Sequence, residues 1–301
     1  MKNIEIKKLN KKYGDIFALS DFSYEFNSGG KYAVIGPCGS GKTTLLSIIA
    51  GIEDFDGDVK IGDKNRKELA LEKANISYIL SDPVFFEGKS VLKNLEYQYK
   101  VCGKEYTVSE VVSLIEEHNL DPYEKVKKLS YIEKLILSIV RAKVKSADIL
   151  LIDLNDFVEL LENKSDALTE LVLLVENYPW TVIVAENGVN FASKLNCKKL
   201  FLNFGVNKGE IDFKNEIENP TNFYLYKCAL QSVGAQDKPI LIEVEKLMCG
   251  LSISSSGLST LESDKLKKLI NHRMDFKIGD RIEIYKLGEY FFEAIGGNIL
   301  K

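Results

Sequence analysis

The alternation of apolar and polar positions changes character along the chain. Over Met1–Tyr13 apolar residues are spaced as in strands, and KYAVIG (Lys31–Gly36) is a short continuous apolar run. GKTTLLSIIAG (Gly41–Gly51) has helical spacing and is closed by a glycine. ISYIL (Ile76–Leu80) predicts another strand, followed by the turn-forming pair Asp82-Pro83. From Ser90 to Ala147 the period is helical, as in SEVVSLIEEHNL and EKLILSIVRAKV, which predicts a helical subdomain at about 87–147 inserted between sheet strands. ADILLID (Ala147–Asp153) and TVIVAE (Thr181–Glu186) are continuous apolar or β-branched runs, typical of strands covered on both faces. They bracket a helical stretch, DALTELVLLVENY, and that order predicts an α/β fold with a parallel sheet. Beyond about residue 235 the chain reads as short strands with glycine turns (ILIEVEKLM, GDRIEIYKLG, EYFFEAIGG), with a loop at SISSSGLSTLES. The expected domains are therefore 1–235 and a small β domain, 236–301.

Composition narrows the classes. A chain of 301 residues has room for about two domains. With 40 basic and 44 acidic side chains, and a net charge of −4, it lacks the basic face of a dedicated nucleic-acid binder. No apolar run approaches the ~18 residues of a membrane span, and the start MKNIEIKKLNKKYG has no apolar stretch behind it. The expected location is cytoplasmic, free or docked on a membrane complex from the cytoplasmic side. Five scattered cysteines (Cys38, Cys102, Cys197, Cys228, Cys249) without a CxxC pair indicate neither a disulfide framework nor a zinc site. There are only two histidines, His118 and His272.

The strongest motif is Gly36-Pro37-Cys38-Gly39-Ser40-Gly41-Lys42-Thr43, which fits G-x-x-x-x-G-K-[ST] between a predicted strand and a predicted helix. Glycines let the backbone wrap a phosphate chain with its N–H groups inward, and the helix N-terminus adds partial positive charge. In this pattern Lys42 reaches the β- and γ-phosphates and Thr43 ligates Mg²⁺. Cys38 reads as a small residue at a tight turn.

The order of Tyr13, the phosphate loop, a helical insertion, LSYIE at Leu129, ILLID ending at Asp153 and TVIVAE resembles the ATP-binding cassette (ABC) ATPase subunits, in particular those of sugar and sugar-phosphate importers. EIENPTNFYLY (Glu216–Tyr226) resembles that subfamily's exit helix. FKIGDRIEIYKLGEYFFEAIGGNIL resembles the end of its OB-like C-terminal regulatory domain, here about half the usual size. The resemblance implies adenine stacking on Tyr13 and phosphate and metal contacts from Lys42, Thr43 and Thr44. It also implies that Asp153 holds Mg²⁺, that Ser130 contacts the nucleotide of an opposite subunit, and that the ligand is ATP with Mg²⁺.

The hydrolytic half departs from the family pattern. Leu154 stands where the family has a catalytic glutamate, a group class worth typically 10²–10⁴ in rate. Ser81 stands in place of a γ-phosphate-sensing glutamine, and Glu186 in place of a switch histidine. A carboxylate ~4 Å from a phosphate is repelled by about 4 kcal/mol at an effective dielectric of 20. Glu186 must therefore point away, be neutralised, or take on another task, of which substitute base is one. Tyr131, Ile132 and Glu133 replace the rest of the LSGGQ signature; Tyr131 and Ile132 are expected to crowd the nucleotide and Glu133 to add a like charge. The same residues also read as an amphipathic helix with a serine N-cap.

Family members act as head-to-tail cassette dimers docked on membrane permease subunits. The implied function is an ATP-binding importer subunit for carbohydrate or sugar phosphate, a degenerate cassette that binds ATP stably. Hydrolysis would be weak alone and would fall to an intact partner cassette, which is favoured over a homodimer. The alternatives are a nucleotide-sensing regulatory pseudo-ATPase outside transport and an active ATPase with unusual residues. Phe85 and Phe86 follow the expected permease-coupling loop, Trp180 reads as a packing residue, and Lys7, Lys8, Lys11 and Lys12 read as a solvated strand edge.

Overall fold

The computed structural model describes residues 2–154, 166–219, 222–235, 240–244, 253–254, 281–287, 290–293 and 299–300. Two compact units divide the chain, Met1–Ile211 and Asp212–Lys301. In the first, strands β1 (Ile4–Tyr13) and β2 (Ile16–Phe26) form a hairpin, followed by β3 (Lys31–Ile35) and helix α1 (Lys42–Ala50). Then come β4 (Asp56–Ile61), β5 (Lys64–Asn65), α2 (Leu71–Ala74) and β6 (Ile76–Ile79). Helices α3 (Val91–Val101), α4 (Val108–Glu117) and α5 (Tyr131–Lys145) fill the predicted helical stretch. The unit closes with β7 (Ile149–Asp153), α6 (Asp166–Glu176), β8 (Thr181–Glu186), β9 (Lys198–Asn203) and β10 (Val206–Glu210).

Two sheets result. One is antiparallel in the order β2-β1-β4-β5. The other, β10-β9-β3-β8-β7-β6, is parallel except at β10, so the predicted parallel sheet is in fact mixed. The lysine-rich strand β1 lies between β2 and β4 and is not an edge. Lys7, Lys8 and Lys12 are exposed, whereas Lys11 pairs with Glu53 at 2.8 Å.

Strand alternation divides the core. Ile149, Leu151, Ile183 and Ala185 pack with α1 residues Leu45, Leu46, Ile48 and Ile49 on one face of the mixed sheet. Leu150, Ile152, Leu154, Val182 and Val184 pack with Leu135, Ile136 and Ile139 of α5 and Leu168 and Leu171 of α6 on the other. Trp180 packs against this second cluster, and its carbonyl accepts from Lys31 Nζ at 2.7 Å. Helix α4 starts at a capping box between Thr107 and Glu110, which satisfies two N–H groups that the first turn leaves open.

In the second unit, helices α7 (Phe213–Glu218) and α8 (Phe223–Ser232) precede β11 (Ile240–Val244), β12 (Ile253–Ser254), β13 (Arg281–Leu287), β14 (Tyr290–Glu293) and β15 (Ile299–Leu300). These strands form an antiparallel sheet in the order β12-β11-β13-β14-β15. Strand β12 falls at the start of the stretch read as a loop. The rest of that stretch, with Cys249 and His272, lies outside the described residues. Among the described residues no helix is long and apolar enough to cross a membrane.

Candidate functional site

Four neighbouring parallel strands end at one edge of the mixed sheet. Ile35 of β3 pairs with Glu186 of β8, Asp153 of β7 with Ala185 of β8, and Ile79 of β6 with Ile152 of β7. Gly36, Ser81, Asp153, Leu154 and Glu186 therefore gather at the carboxyl ends of adjacent strands, where open α/β sheets bind ligands.

The phosphate loop leaves β3 at Gly36. A Cβ there would lie 2.0 Å from the Leu202 carbonyl oxygen and 2.7 Å from Ser40 Oγ, so the position admits only glycine. Gly41 has φ +100°, and a Cβ would lie 2.2 Å from the Ala18 oxygen. The β9–β10 turn anchors the loop, with Gly205 N–H donating to Ser40 O at 3.0 Å and Ser20 N–H to Gly205 O at 2.9 Å. Cys38 and Gly39 are exposed on the loop, Ser40 is buried, Thr43 is exposed and Thr44 is half-buried.

Lys42 is 3% exposed, and its Nζ donates to Gly36 O at 2.8 Å, Pro37 O at 2.9 Å and Ser40 Oγ at 3.1 Å. Burial lowers its pKa from 10.5 to about 8, opposed by the nearby Cys38 and Asp153. A buried ammonium ringed by neutral oxygens, at a helix N-terminus inside a loop too tight for side chains, fits a polyphosphate. Binding a polyanion favours the charged lysine. Affinity for ATP is therefore expected to fall as pH rises above 8, approaching tenfold per unit, with proton uptake on binding at pH 8. Calorimetry in buffers of different ionisation enthalpy checks both. The nucleotide-free protein behaves oppositely. Because the unfolded lysine binds its proton more tightly, Lys42 adds stability as pH climbs from 8 to 10.5.

Asp153, 2% exposed, closes β7 on the face that carries α1. Its neighbour Leu154 is fully buried on the opposite face, and its N–H donates to Ala185 O at 2.8 Å. Alternation at the strand end thus sends the carboxylate toward the phosphate loop and the leucine into the core. Tyr78 of β6 also lies on the α1 face. Its hydroxyl is 3.4 Å from Ser47 Oγ and hydrogen-bonds Asp153. Burial raises its pKa to about 12. Sequence reading missed Tyr78 and Ser47, since neither hydroxyl belongs to a motif and only the fold brings the strand and the helix together.

Glu186 is fully buried and points away from the phosphate loop. Oε1 accepts from Phe191 N–H and Oε2 from Ala192 N–H, both at 2.9 Å. Burial raises its pKa against these backbone hydrogen bonds. Of the outcomes open to it on sequence, pointing away is the one its geometry shows, with the carboxylate capping the 190–192 backbone. Both oxygens accept backbone N–H groups there, on the side of the sheet that Val182 and Val184 share.

Tyr13 is 48% exposed at the tip of the β1–β2 hairpin, with Lys11 Nζ 5.0 Å from its ring centre and Glu53 hydrogen-bonded to it. Ala18 and Leu19 of the same hairpin touch the space beside Gly41. Ser130 caps α5. Its Oγ accepts from Glu133 N–H at 3.3 Å, and Glu133 accepts from Ser130 N–H at 2.7 Å. Ile132 is buried and Tyr131 packs against the same core, so neither bulky side chain projects from the helix tip as expected. The serine-capped amphipathic helix describes this segment. His118 caps the end of α4 and pairs with Glu170 at 2.9 Å, remote in role from the switch position. Among the described residues, no cluster of three His, Cys, Asp or Glu forms a metal site.

Comparison with known proteins agrees with this geometry. The family described as ABC transporter matches residues 19–154. A maltose/maltodextrin import ATP-binding protein of Mannheimia succiniciproducens is 29% identical over 160 residues, covering 51% of this chain and 42% of the relative. A methionine import ATP-binding protein of Campylobacter jejuni is 29% identical over 240 residues, 69% of this chain and 71% of the relative. A spermidine/putrescine import ATP-binding protein of Fusobacterium nucleatum is 31% identical over 160 residues, 50% of this chain and 42% of the relative. The matched stretch thus spans less than half the length of two of these three relatives. The solved ADP conformation of an ATP-binding cassette of an ABC transporter superposes with a TM-score of 0.62 at 21% identity, covering 75% of this chain and 98% of that one. A dimeric post-hydrolysis cassette bound to ADP and phosphate gives 0.57 at 20% identity, over 69% and 98%. At such identities the likeness shows the fold alone. The family match over the phosphate loop and β7 makes residues 19–154 similar to an ABC transporter, and the fold that brings Lys42 and Asp153 to one sheet edge is that of an ATP-binding cassette.

Proposed function

We propose that the chain is the ATP-binding subunit of an ABC importer complex, and that it holds ATP with Mg²⁺ while hydrolysing it weakly unless paired with an intact second cassette. One observation carries this reading. The binding groups stand assembled at the sheet edge, while Leu154 is sealed in the core and both Glu186 oxygens cap backbone N–H groups.

The phosphate-loop N–H groups and Lys42 would bind the phosphates, Tyr13 would stack on the base, and Thr43 and Asp153 would hold the cation. Mg²⁺ supplies neutralisation of phosphate charge when bound. Nothing at 81, 154 or 186 accepts a proton from water at the phosphate. Ser130 keeps its hydroxyl hydrogen free of the capping box and would donate it to nucleotide on a partner cassette.

Val84 and Phe86 are exposed, Phe86 rests edge-on against exposed Tyr97 at 4.9 Å, and Phe85 lies beneath Arg141. This apolar patch supports docking of a membrane permease, and with it a peripheral position on the cytoplasmic face. For the solute we retain carbohydrate or sugar phosphate, from the resemblance of the chain to such importers. The named relatives are ATP-binding proteins for import of solutes as different as methionine and spermidine or putrescine, which supports a solute choice made outside this subunit.

A pull-down of the native complex tests the assignment. Permease subunits and a second, intact cassette are expected with the chain. Recovery with neither, on a sample that binds ATP, would replace the importer reading with that of a nucleotide-sensing regulator.

A further inference from the structure

Two residues proposed to hold the cation sit on different elements, Thr43 on α1 and Asp153 on β7. Ser47 lies one helical turn after Thr43 on the same side of α1. Tyr78 pairs in register with Leu151, two residues before Asp153, so its ring and the Asp153 carboxylate share the α1 face of the sheet. Its hydroxyl reaches both Ser47 Oγ, at 3.4 Å, and Asp153.

Donor accounting sets the direction of this relay. A carboxylate only accepts, so the tyrosine O–H donates to Asp153, and the Ser47 hydroxyl donates to the tyrosine oxygen. The relay ends on the carboxylate and holds one of its oxygens from a half-buried strand position, independently of the phosphate loop. Tyr78 serves no packing need that a phenylalanine would not meet. Its hydroxyl is the part that bonds Ser47 and Asp153.

We propose that Tyr78 is a positioning residue for the nucleotide-bound divalent cation, orienting the Asp153 carboxylate toward the metal position and tying it to the helix that carries Thr43. This rests on the reading of the site as one for ATP with Mg²⁺. Groups that orient a metal ligand through a hydrogen bond typically contribute 10- to 100-fold in metal affinity.

The test is ATP binding by the full chain, measured across a Mg²⁺ titration and again in EDTA, for the wild type, Tyr78→Phe and Ser47→Ala. The half-saturating Mg²⁺ concentration is expected to rise about tenfold or more in Tyr78→Phe and less in Ser47→Ala. Affinity in EDTA and the thermal midpoint without ligand are expected to stay near wild type, which a merely structural role would not produce. Unchanged Mg²⁺ dependence in Tyr78→Phe, on a wild type that shows such dependence, would overturn the proposal. So would an equal loss with and without Mg²⁺. A wild type whose ATP binding ignores Mg²⁺ would overturn both the proposal and the reading beneath it.

Discussion

Replacing Lys42 by alanine is expected to weaken ATP binding on the order of 10²- to 10³-fold while leaving the chain folded. The loss follows from removing a buried cation at a polyanion site, an effect of about 2–5 kcal/mol. Folding changes far less, because the cost of desolvating the ammonium opposes its three hydrogen bonds to Gly36, Pro37 and Ser40. Equilibrium titration with a fluorescent ATP analogue, beside a thermal melt, separates the two quantities. A variant that binds ATP as tightly as wild type would show that the nucleotide sits elsewhere.

Leu154→Glu gives the second large effect, and its direction is opposite to that of a simple repair. Leu154 is fully buried among α5 and α6 side chains, on the face of the sheet away from α1. A glutamate there loses the leucine's packing and places a carboxylate in apolar surroundings, at a cost of about 2–5 kcal/mol. Phosphate release is expected to stay within tenfold of wild type, since the side chain enters the core and Ser81 and Glu186 remain. A rise of a hundredfold or more, with an unchanged melting point, would mean that position 154 reaches the phosphate after all.

Much of this site was legible before any coordinates. The loop Gly36–Thr43, the strand ending at Asp153 and the helix capped by Ser130 are all local patterns, and local patterns survive folding. Strands β2, β4, β5, β9 and β10 were not read because they are short or broken by polar residues, and the pairings of β1 with β4 and of β3 with β9 join segments far apart in sequence. The mixed character of the main sheet depends on one edge strand, β10, which alternates polar and half-buried residues without an apolar run. Tyr131 and Ile132 misled for a related reason. Their bulk was weighed against a nucleotide, when the amphipathic period of α5 directs them toward the core. Glu186 was left with three outcomes, and only the fold supplies the N–H groups of Phe191 and Ala192 that select one. Tyr78 carried no sequence signal at all, since its role depends on the register between β6 and β7.

The central claim is that binding and hydrolysis are separated in this chain, and one measurement addresses it directly. ATP affinity in the presence of Mg²⁺ and phosphate release are determined on the same purified sample, with Lys42→Ala as the control. Saturable binding, abolished in the control, together with turnover no faster than that control, is the predicted result. Steady turnover well above the Lys42→Ala background by the chain alone would contradict it.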